Sequence, residues 1–162
     1  EMKELGFNYR ITDIQCTLGI NQLKRLDEFI EKRQFIATYY SKHFSEFDLL
    51  ILPNVSPEIS HAWHLYPLQI NIKSTNFKEE DDEKLHLIKV DLFQKLKVQN
   101  IGVQVHYVPI HLQPYYKNNF SFKKGDFPLA ESFYAREISI PIYPSLKLEE
   151  MEYVTIHHVM IM

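Results

Sequence analysis

Apolar and polar residues recur along this chain with two different periods, and each period predicts a type of element. Near the N-terminus the spacing is close to the 3.6 residues of an amphipathic helix, with apolar residues at Leu23, Leu26, Ile30, Ala37, Tyr40 and Phe44. Thr12 followed by Gln15 has the spacing of a capping box, in which two side chains bond to otherwise unpaired backbone donors. We therefore predict one long helix that begins after Thr12 and runs to about Phe44.

Further along, strand-like and helix-like segments follow one another. Residues 63–72 are rich in aromatic and branched side chains and predict a strand. A second helix is predicted by the apolar spacing of Leu85, Ile88, Leu92 and Leu96. We expect this helix to end at residues 100–102, where Gly102 is free to adopt a positive φ.

The last third of the chain predicts two short strands and two helices. Residues 103–108 read as a strand, and Pro128 suits the first turn of a helix that runs to about Arg136. Residues 138–141 then predict a short strand, and a final helix begins near Leu148. This order predicts an α/β (α+β) fold in which helices pack on a small sheet.

Composition narrows the class of protein. With 45% hydrophobic and 14% aromatic residues, the chain is neither disordered nor fibrous, and its 162 residues fit one domain, 1–162. A net charge of −3 without a basic stretch argues against a nucleic-acid partner. No apolar run approaches the roughly 20 residues that span a bilayer. Because Cys16 is the only cysteine, we expect a reducing compartment, the cytoplasm.

The strand predicted at residues 103–108 carries the sharpest candidate chemistry. Alternation places Gln104 and His106 on one face and Val103, Val105 and Tyr107 on the other. Two polar residues on one face, beside the end of a helix, suggest an edge that faces a ligand. A half-exposed strand with solvated polar residues fits the same spacing, and on spacing alone it fits better.

Asn8 and Arg10 precede the capped helix. The Asn8 amide could donate to a phosphate, and the Arg10 guanidinium could pair with a phosphate or a carboxylate. Asn8 could equally be a turn residue, and Arg10 an exposed charge. His64 either pairs with a backbone group or faces a cleft.

Metal and nucleophile sites are not expected. His61, His64, His106 and His111 do not have a zinc-ligand spacing, and no cysteine pair accompanies them. Cys16 has no base partner nearby and is expected to pack as a small residue. Without a GxSxG elbow, a P-loop or a GxGxxG fingerprint, the chain contains no complete catalytic apparatus.

Several segments, in this order, resemble one family. They are GFNYRITDIQ at residues 6–15, LGINQL at 18–23, HLYPL at 64–68, GVQVHYVPIHLQPYY at 102–116 and FPLAESFYAREISIPIYPSL at 127–146. Together they are similar to the C-terminal part of DegT/DnrJ-type sugar aminotransferases, which depend on pyridoxal phosphate. The combination of HLYP with QVHY looks closest to the members that make UDP-linked 4-amino-4,6-dideoxy sugars for pseudaminic acid.

The resemblance implies a fold and a set of site residues. The fold would be the small C-terminal domain of a fold-type I pyridoxal-phosphate transferase, with the cofactor-binding lysine in a large domain preceding Glu1. The chain would then hold no catalytic residue and would be inactive alone. Asn8 would reach the cofactor phosphate or the substrate of a partner subunit. The nucleotide-sugar site would be lined by Gln104, Val105, His106 and Tyr107, with Arg10 and His64.

The resemblance also implies a reaction. The intact enzyme, a homodimer with shared active sites, would use pyridoxal 5′-phosphate to transfer the amino group of glutamate to a UDP-linked 4-keto-6-deoxy sugar. Neither a membrane nor a nucleic acid would be a partner. Two alternatives stay open: a free-standing module that binds a nucleotide or sugar without catalysis, and a structural remnant that only dimerises.

Overall fold

A computed structural model of the chain describes residue 7, residues 9–71 and residues 82–161, with side chains up to residue 156. The helices are α1 (Asp13–Leu23), α2 (Leu26–Phe44), α3 (Asp82–Val98), α4 (Pro114–Phe120), α5 (Pro128–Arg136) and α6 (Leu148–Ile161). The strands β1 (Leu50–Ile51), β2 (Tyr66–Ile70) and β3 (Glu137–Ile140) form one antiparallel sheet in the order β1-β2-β3. None of the described helices is long and apolar enough to cross a membrane.

The predicted long N-terminal helix is two helices. Its start is confirmed, because Thr12 and Gln15 form the reciprocal capping box. The helix is interrupted at Lys24 and Arg25, where Arg25 leaves helical geometry at φ −109° and ψ 2°. Only α2 packs on the core of this chain, through Ile36, Ala37, Tyr40 and Phe44. No residue of α1 is buried, and its apolar side chains Ile14, Leu18 and Leu23 are mostly exposed.

The central strand β2 is shorter than predicted. Trp63 adopts φ 49°, in the left-handed region, which is incompatible with extension of the strand toward residue 63. The predicted end at residue 72 lies outside the described residues. Pro67, opposite Ser139, is tolerated in this central strand because the backbone of Ser139 bonds to Gln104 on its other side. The proline nitrogen therefore faces the β1 side, where β1 has already ended at Ile51.

The prediction of a strand at residues 103–108 is wrong beyond the pairing of Gln104 with Ser139. Gln104 and Ser139 exchange two backbone hydrogen bonds of 3.0 and 2.8 Å. The next donor on that side, the His106 N–H, bonds instead to the Glu137 carboxylate at 2.9 Å. The ladder stops because a side chain takes the place of a strand carbonyl.

The core lies between the sheet and helices α2, α3 and α6. On α3, Leu85, Leu92 and Leu96 are buried as the apolar spacing predicted, while the fourth buried residue of the helix is Lys89. Helices α5 and α6 and strand β3 confirm the predicted order of the last third of the chain. Helix α4 and the 3-10 turn Ile110–Leu112 occupy a region that the sequence indicated as a loop.

The end of α3 differs from the prediction in one residue. The positive φ of 61° belongs to Asn100, not to Gly102. The Ile101 N–H bonds to the Leu96 carbonyl at 3.0 Å and the Asn100 N–H to the Lys97 carbonyl at 2.9 Å, which together form a Schellman motif.

This geometry predicts opposite effects for two substitutions of Asn100. Alanine lacks the side-chain amide that eases the left-handed conformation, so Asn100→Ala is expected to lower the free energy of unfolding by about 1 kcal/mol. Asn100→Gly, which removes the steric penalty, should be neutral or slightly stabilising. Urea denaturation of both variants checks this, and equal losses for alanine and glycine would contradict it.

Candidate functional site

His106 is held by two residues of strand β3. Its backbone N–H donates to Oε2 of Glu137 at 2.9 Å, and its ring Nδ1 lies 2.9 Å from the hydroxyl of Ser139. The same hydroxyl donates to Oε1 of Glu137 at 2.5 Å. Glu137 is fully buried and Ser139 almost so, whereas His106 is half-buried. These contacts fix both the backbone and the ring of His106 from the side of β3.

Lys89, on α3, interacts electrostatically with Glu137. Its ammonium donates to the Tyr134 carbonyl at 2.5 Å and lies 3.9 Å from the centre of the Tyr134 ring. Burial lowers the pKa of Lys89 to about 8, and the opposite charge of Glu137 resists that lowering. The sequence analysis did not predict that Lys89 is buried. The residue lies on the same face of α3 as Leu85, Leu92 and Leu96.

Four of the predicted site residues, Gln104 to Tyr107, are consecutive in the sequence, and the structure places this segment beside β3. Gln104 and Tyr107 are exposed and Val105 is half-buried. The Tyr107 ring lies edge-on to the His106 ring, with 4.6 Å between their centres. Gln104 to Tyr107 therefore present a surface of mixed polar and aromatic character.

The other predicted site residues are not brought to this segment by any described contact. Arg10 is exposed ahead of α1, and His64 is exposed ahead of β2. Asn8 lies outside the described residues. The expectations for these three residues remain predictions.

A second polar cluster surrounds Glu131 on α5. Its carboxylate accepts hydrogen bonds from the backbone N–H groups of Gly125 and Phe127 and lies 2.8 Å from Nε2 of His111. Burial acts to raise the pKa of Glu131, but these hydrogen bonds outweigh it and lower the pKa. The cluster fastens the loop before α5. No group of three or more potential metal ligands occurs among the described residues.

Two open cavities lie away from residues 104–107. One of about 600 Å³ is lined by the end of α3 and by Tyr143, Glu150 and Tyr153. The other, of about 430 Å³, is lined by His86, Lys124 and Tyr134 among others. Residues 104–107 line neither of these two cavities.

Comparison with known proteins gives a consistent result along the whole chain. The sequence profile of the DegT/DnrJ/EryC1/StrS aminotransferase family matches residues 1–159. The spore coat polysaccharide biosynthesis protein SpsC of Bacillus subtilis is 37% identical over 153 residues, which cover 94% of this chain and 37% of SpsC. The UDP-4-amino-4,6-dideoxy-N-acetyl-beta-L-altrosamine transaminase of Campylobacter jejuni is 36% identical over 156 residues, which cover 95% of this chain and 38% of that enzyme.

Solved structures agree with the sequence matches. Helicobacter pylori PseC, described as an aminotransferase of pseudoaminic acid biosynthesis, superposes with a TM-score of 0.84 at 27% identity. The match covers 99% of this chain and 40% of PseC. A sugar aminotransferase of Streptococcus pneumoniae in its PLP-form superposes with a TM-score of 0.77 at 25% identity, over 94% of this chain and 36% of that one. The chain therefore spans about two fifths of the length of the proteins that it matches.

Proposed function

Because the chain belongs to the DegT/DnrJ/EryC1/StrS aminotransferase family, we propose that it is the small C-terminal domain of a nucleotide-sugar aminotransferase. The intact enzyme transfers the amino group of glutamate to the keto carbon of a UDP-linked 4-keto-6-deoxy sugar. The product serves pseudaminic acid or a related surface sugar. The observation that carries this proposal is the family match over residues 1–159, and the names of the Campylobacter and Helicobacter relatives support the choice of sugar.

Pyridoxal 5′-phosphate is the cofactor of the intact enzyme, where it supplies the electron sink that amino transfer requires. Lys89, the buried lysine among the described residues, is engaged by the Tyr134 carbonyl and ring within the packing of α3 and α5. In this proposal the cofactor lysine belongs to a large domain outside residues 1–162, and Asn8 approaches the cofactor phosphate.

The contribution of this domain is to bind and orient the nucleotide sugar. Gln104, Val105, His106 and Tyr107 line that site, with Arg10 and His64 at its margin. The anchoring of His106 by Glu137 and Ser139 supports this role, because a residue that orients a ligand must itself be held in place.

The protein partners of this domain are inferred from helix α1, whose apolar residues are exposed in this chain. Its apolar residues Ile14, Leu18 and Leu23 are 83, 62 and 68% exposed in this chain. A helix with apolar residues on several sides is normally covered by another surface. We assign that cover to the large domain and to the second subunit of a homodimer with shared active sites. As Cys16 is the only cysteine, we place the enzyme in the cytoplasm.

The test is an assay of amino transfer by the intact protein supplied with pyridoxal phosphate, glutamate and a UDP-4-keto-6-deoxy sugar. We expect 2-oxoglutarate and amino sugar in equal amounts, and no transfer by residues 1–162 alone. In the intact protein, His106→Ala and Gln104→Ala should lower kcat/KM at least about tenfold, the loss expected for one ligand hydrogen bond.

Matched controls lie on other faces of the domain. His43→Ala on α2 and Gln94→Ala on α3 replace exposed residues of the same types and should leave kcat/KM unchanged. If the protein binds UDP but neither binds pyridoxal phosphate nor transfers an amino group, it is a binding module and the proposal is wrong. If His106→Ala behaves like His43→Ala, the location of the site is wrong.

A further inference from the structure

We propose that Glu137 and Ser139 are positioning residues that hold neutral His106 as its Nδ1–H tautomer. The ring then presents the lone pair of Nε2 to a hydrogen-bond donor of the ligand. The identity of that ligand as a nucleotide sugar rests on the proposed function. The tautomer itself rests only on the contacts among these three residues.

The first step is the direction of the hydrogen bonds at Glu137. Its Oε2 faces the His106 backbone N–H, which can only donate. A carboxylate accepts hydrogen bonds through both of its oxygens and has no proton to give. The Ser139 hydroxyl must therefore donate to Oε1, at 2.5 Å.

The second step follows from the single proton of a hydroxyl group. Because Ser139 gives its proton to Glu137, its oxygen can only accept in the 2.9 Å contact with Nδ1 of His106. The proton of that contact is on Nδ1. A neutral imidazole carries one N–H, so Nε2 is left as an acceptor.

Because Glu137 and Ser139 are buried, water does not compete for their hydrogen bonds to each other and to His106. Glu137 is 0% and Ser139 4% exposed. Both are on β3, where the backbone pairs with Gln104 on one side and Pro67 on the other. Neither side chain can exchange its partner for solvent without opening the sheet.

The consequence is a preference at the ligand site. A hydroxyl or amide N–H of the sugar can donate a hydrogen bond to Nε2. A ligand group that only accepts hydrogen bonds faces the Nε2 lone pair and forms no hydrogen bond with it. A site built to accept from a donor discriminates strongly against ligands that lack one, because its own polar atom is then left unpaired. Among the described residues, none hydrogen-bonds to Nε2, so the atom is available.

The direct test is nitrogen NMR of the full-length protein labelled with 15N-histidine, at about one pH unit above the ordinary imidazole pKa of ~6.5. The His106 signals are assigned by their loss in His106→Gln. We expect a pyrrole-type shift for Nδ1 and a pyridine-type shift for Nε2. The opposite assignment overturns the proposal, whether or not the protein transfers amino groups.

A substitution at Glu137 makes a categorical prediction. In Glu137→Gln, the amide oxygen can still accept from the His106 N–H, but the amide nitrogen now donates to Ser139. The hydroxyl is freed to donate to Nδ1, and the tautomer reverses to Nε2–H. In the active intact enzyme, the KM for the nucleotide sugar should rise about tenfold, since two donors then face each other.

Ser139→Ala keeps the test decisive if Glu137→Gln does not fold. Without the hydroxyl, Nδ1 loses its acceptor, and we expect the fixed Nδ1–H signature to be lost. Ser139→Thr restores an oxygen and should restore the signature. An unchanged tautomer in both Glu137→Gln and Ser139→Ala means that these residues do not set it. A reversed tautomer with an unchanged KM means that Nε2 does not contact the ligand.

The outcomes separate this inference from the proposed function. The expected tautomer in a protein without transaminase activity refutes only the proposed reaction. An active transaminase in which His106 carries its proton on Nε2 refutes only the positioning role.

Discussion

Glu137→Ala is expected to lower the free energy of unfolding by about 3–5 kcal/mol at pH 7, because it removes a fully buried carboxylate that accepts two hydrogen bonds and attracts the buried Lys89. The substitution leaves the Lys89 ammonium buried with the Tyr134 carbonyl and ring but without a counter-charge. It also leaves the His106 N–H and the Ser139 hydroxyl without their acceptor. Urea denaturation followed by circular dichroism measures the loss.

The loss should become smaller as the pH rises, and the pKa of Lys89 gives the sign. In the wild type this pKa is about 8 in the folded protein, against roughly 10.4 in an unfolded chain. Between those values the unfolded chain binds more protons, so the free energy of unfolding rises with pH. Without the attraction of Glu137 the folded pKa falls further, and in Glu137→Ala the rise begins at a lower pH. The two proteins therefore converge as the pH increases from about 6.5 to about 8.5.

A surface carboxylate provides the control. Glu83 pairs with Lys124 at 2.9 Å, but the two side chains are 86 and 67% exposed. Such exposed pairs contribute little to stability, so Glu83→Ala should have a small effect that does not converge with pH in this range. If Glu137→Ala costs no more than Glu83→Ala, the buried Glu137 carboxylate and its hydrogen bonds do not contribute to stability.

Periodicity predicted those elements whose apolar face packs within this chain. Helices α5 and α6 and strand β3 were found near their predicted positions, because local pattern and burial agree there. The pattern failed at α1 and α2, where the same spacing continues across Arg25 although only α2 reaches the core. Spacing shows that a face is apolar but does not show which surface covers it.

The candidate site was predictable in part. The alternation in exposure is confirmed at Val103 and Gln104, which are buried and exposed, but it stops there, because Val105 and His106 are both half-buried. The supports of His106 were not predicted, because they depend on pairing with residues more than 30 positions away. A usable signal existed in residues 137–140, where Glu and Ser alternate with Ile as Gln and His alternate with Val in residues 103–106. Two such polar faces meeting across a sheet edge form a buried network instead of two solvated edges.

The core centred on Tyr40 gives the other large expected effect. The residue is fully buried, its ring lies 5.3 Å from that of Tyr66 and 5.9 Å from that of Phe44, and its hydroxyl donates to the Pro141 carbonyl at 3.0 Å. Tyr40→Ala leaves a cavity where α2 packs on the sheet. We expect the free energy of unfolding to fall by about 3–5 kcal/mol, as for other large aromatic truncations.

Tyr40→Phe separates packing from hydrogen bonding. It keeps the ring but leaves the Pro141 carbonyl without this donor, which should cost about 1 kcal/mol. Phe35→Ala, an exposed aromatic on the same helix, controls for the helix itself and should stay within about 0.5 kcal/mol. Chemical denaturation of the three variants in parallel decides the matter. A Tyr40→Phe loss as large as that of Tyr40→Ala would show that the hydrogen bond, not the ring, holds α2 against the end of β3.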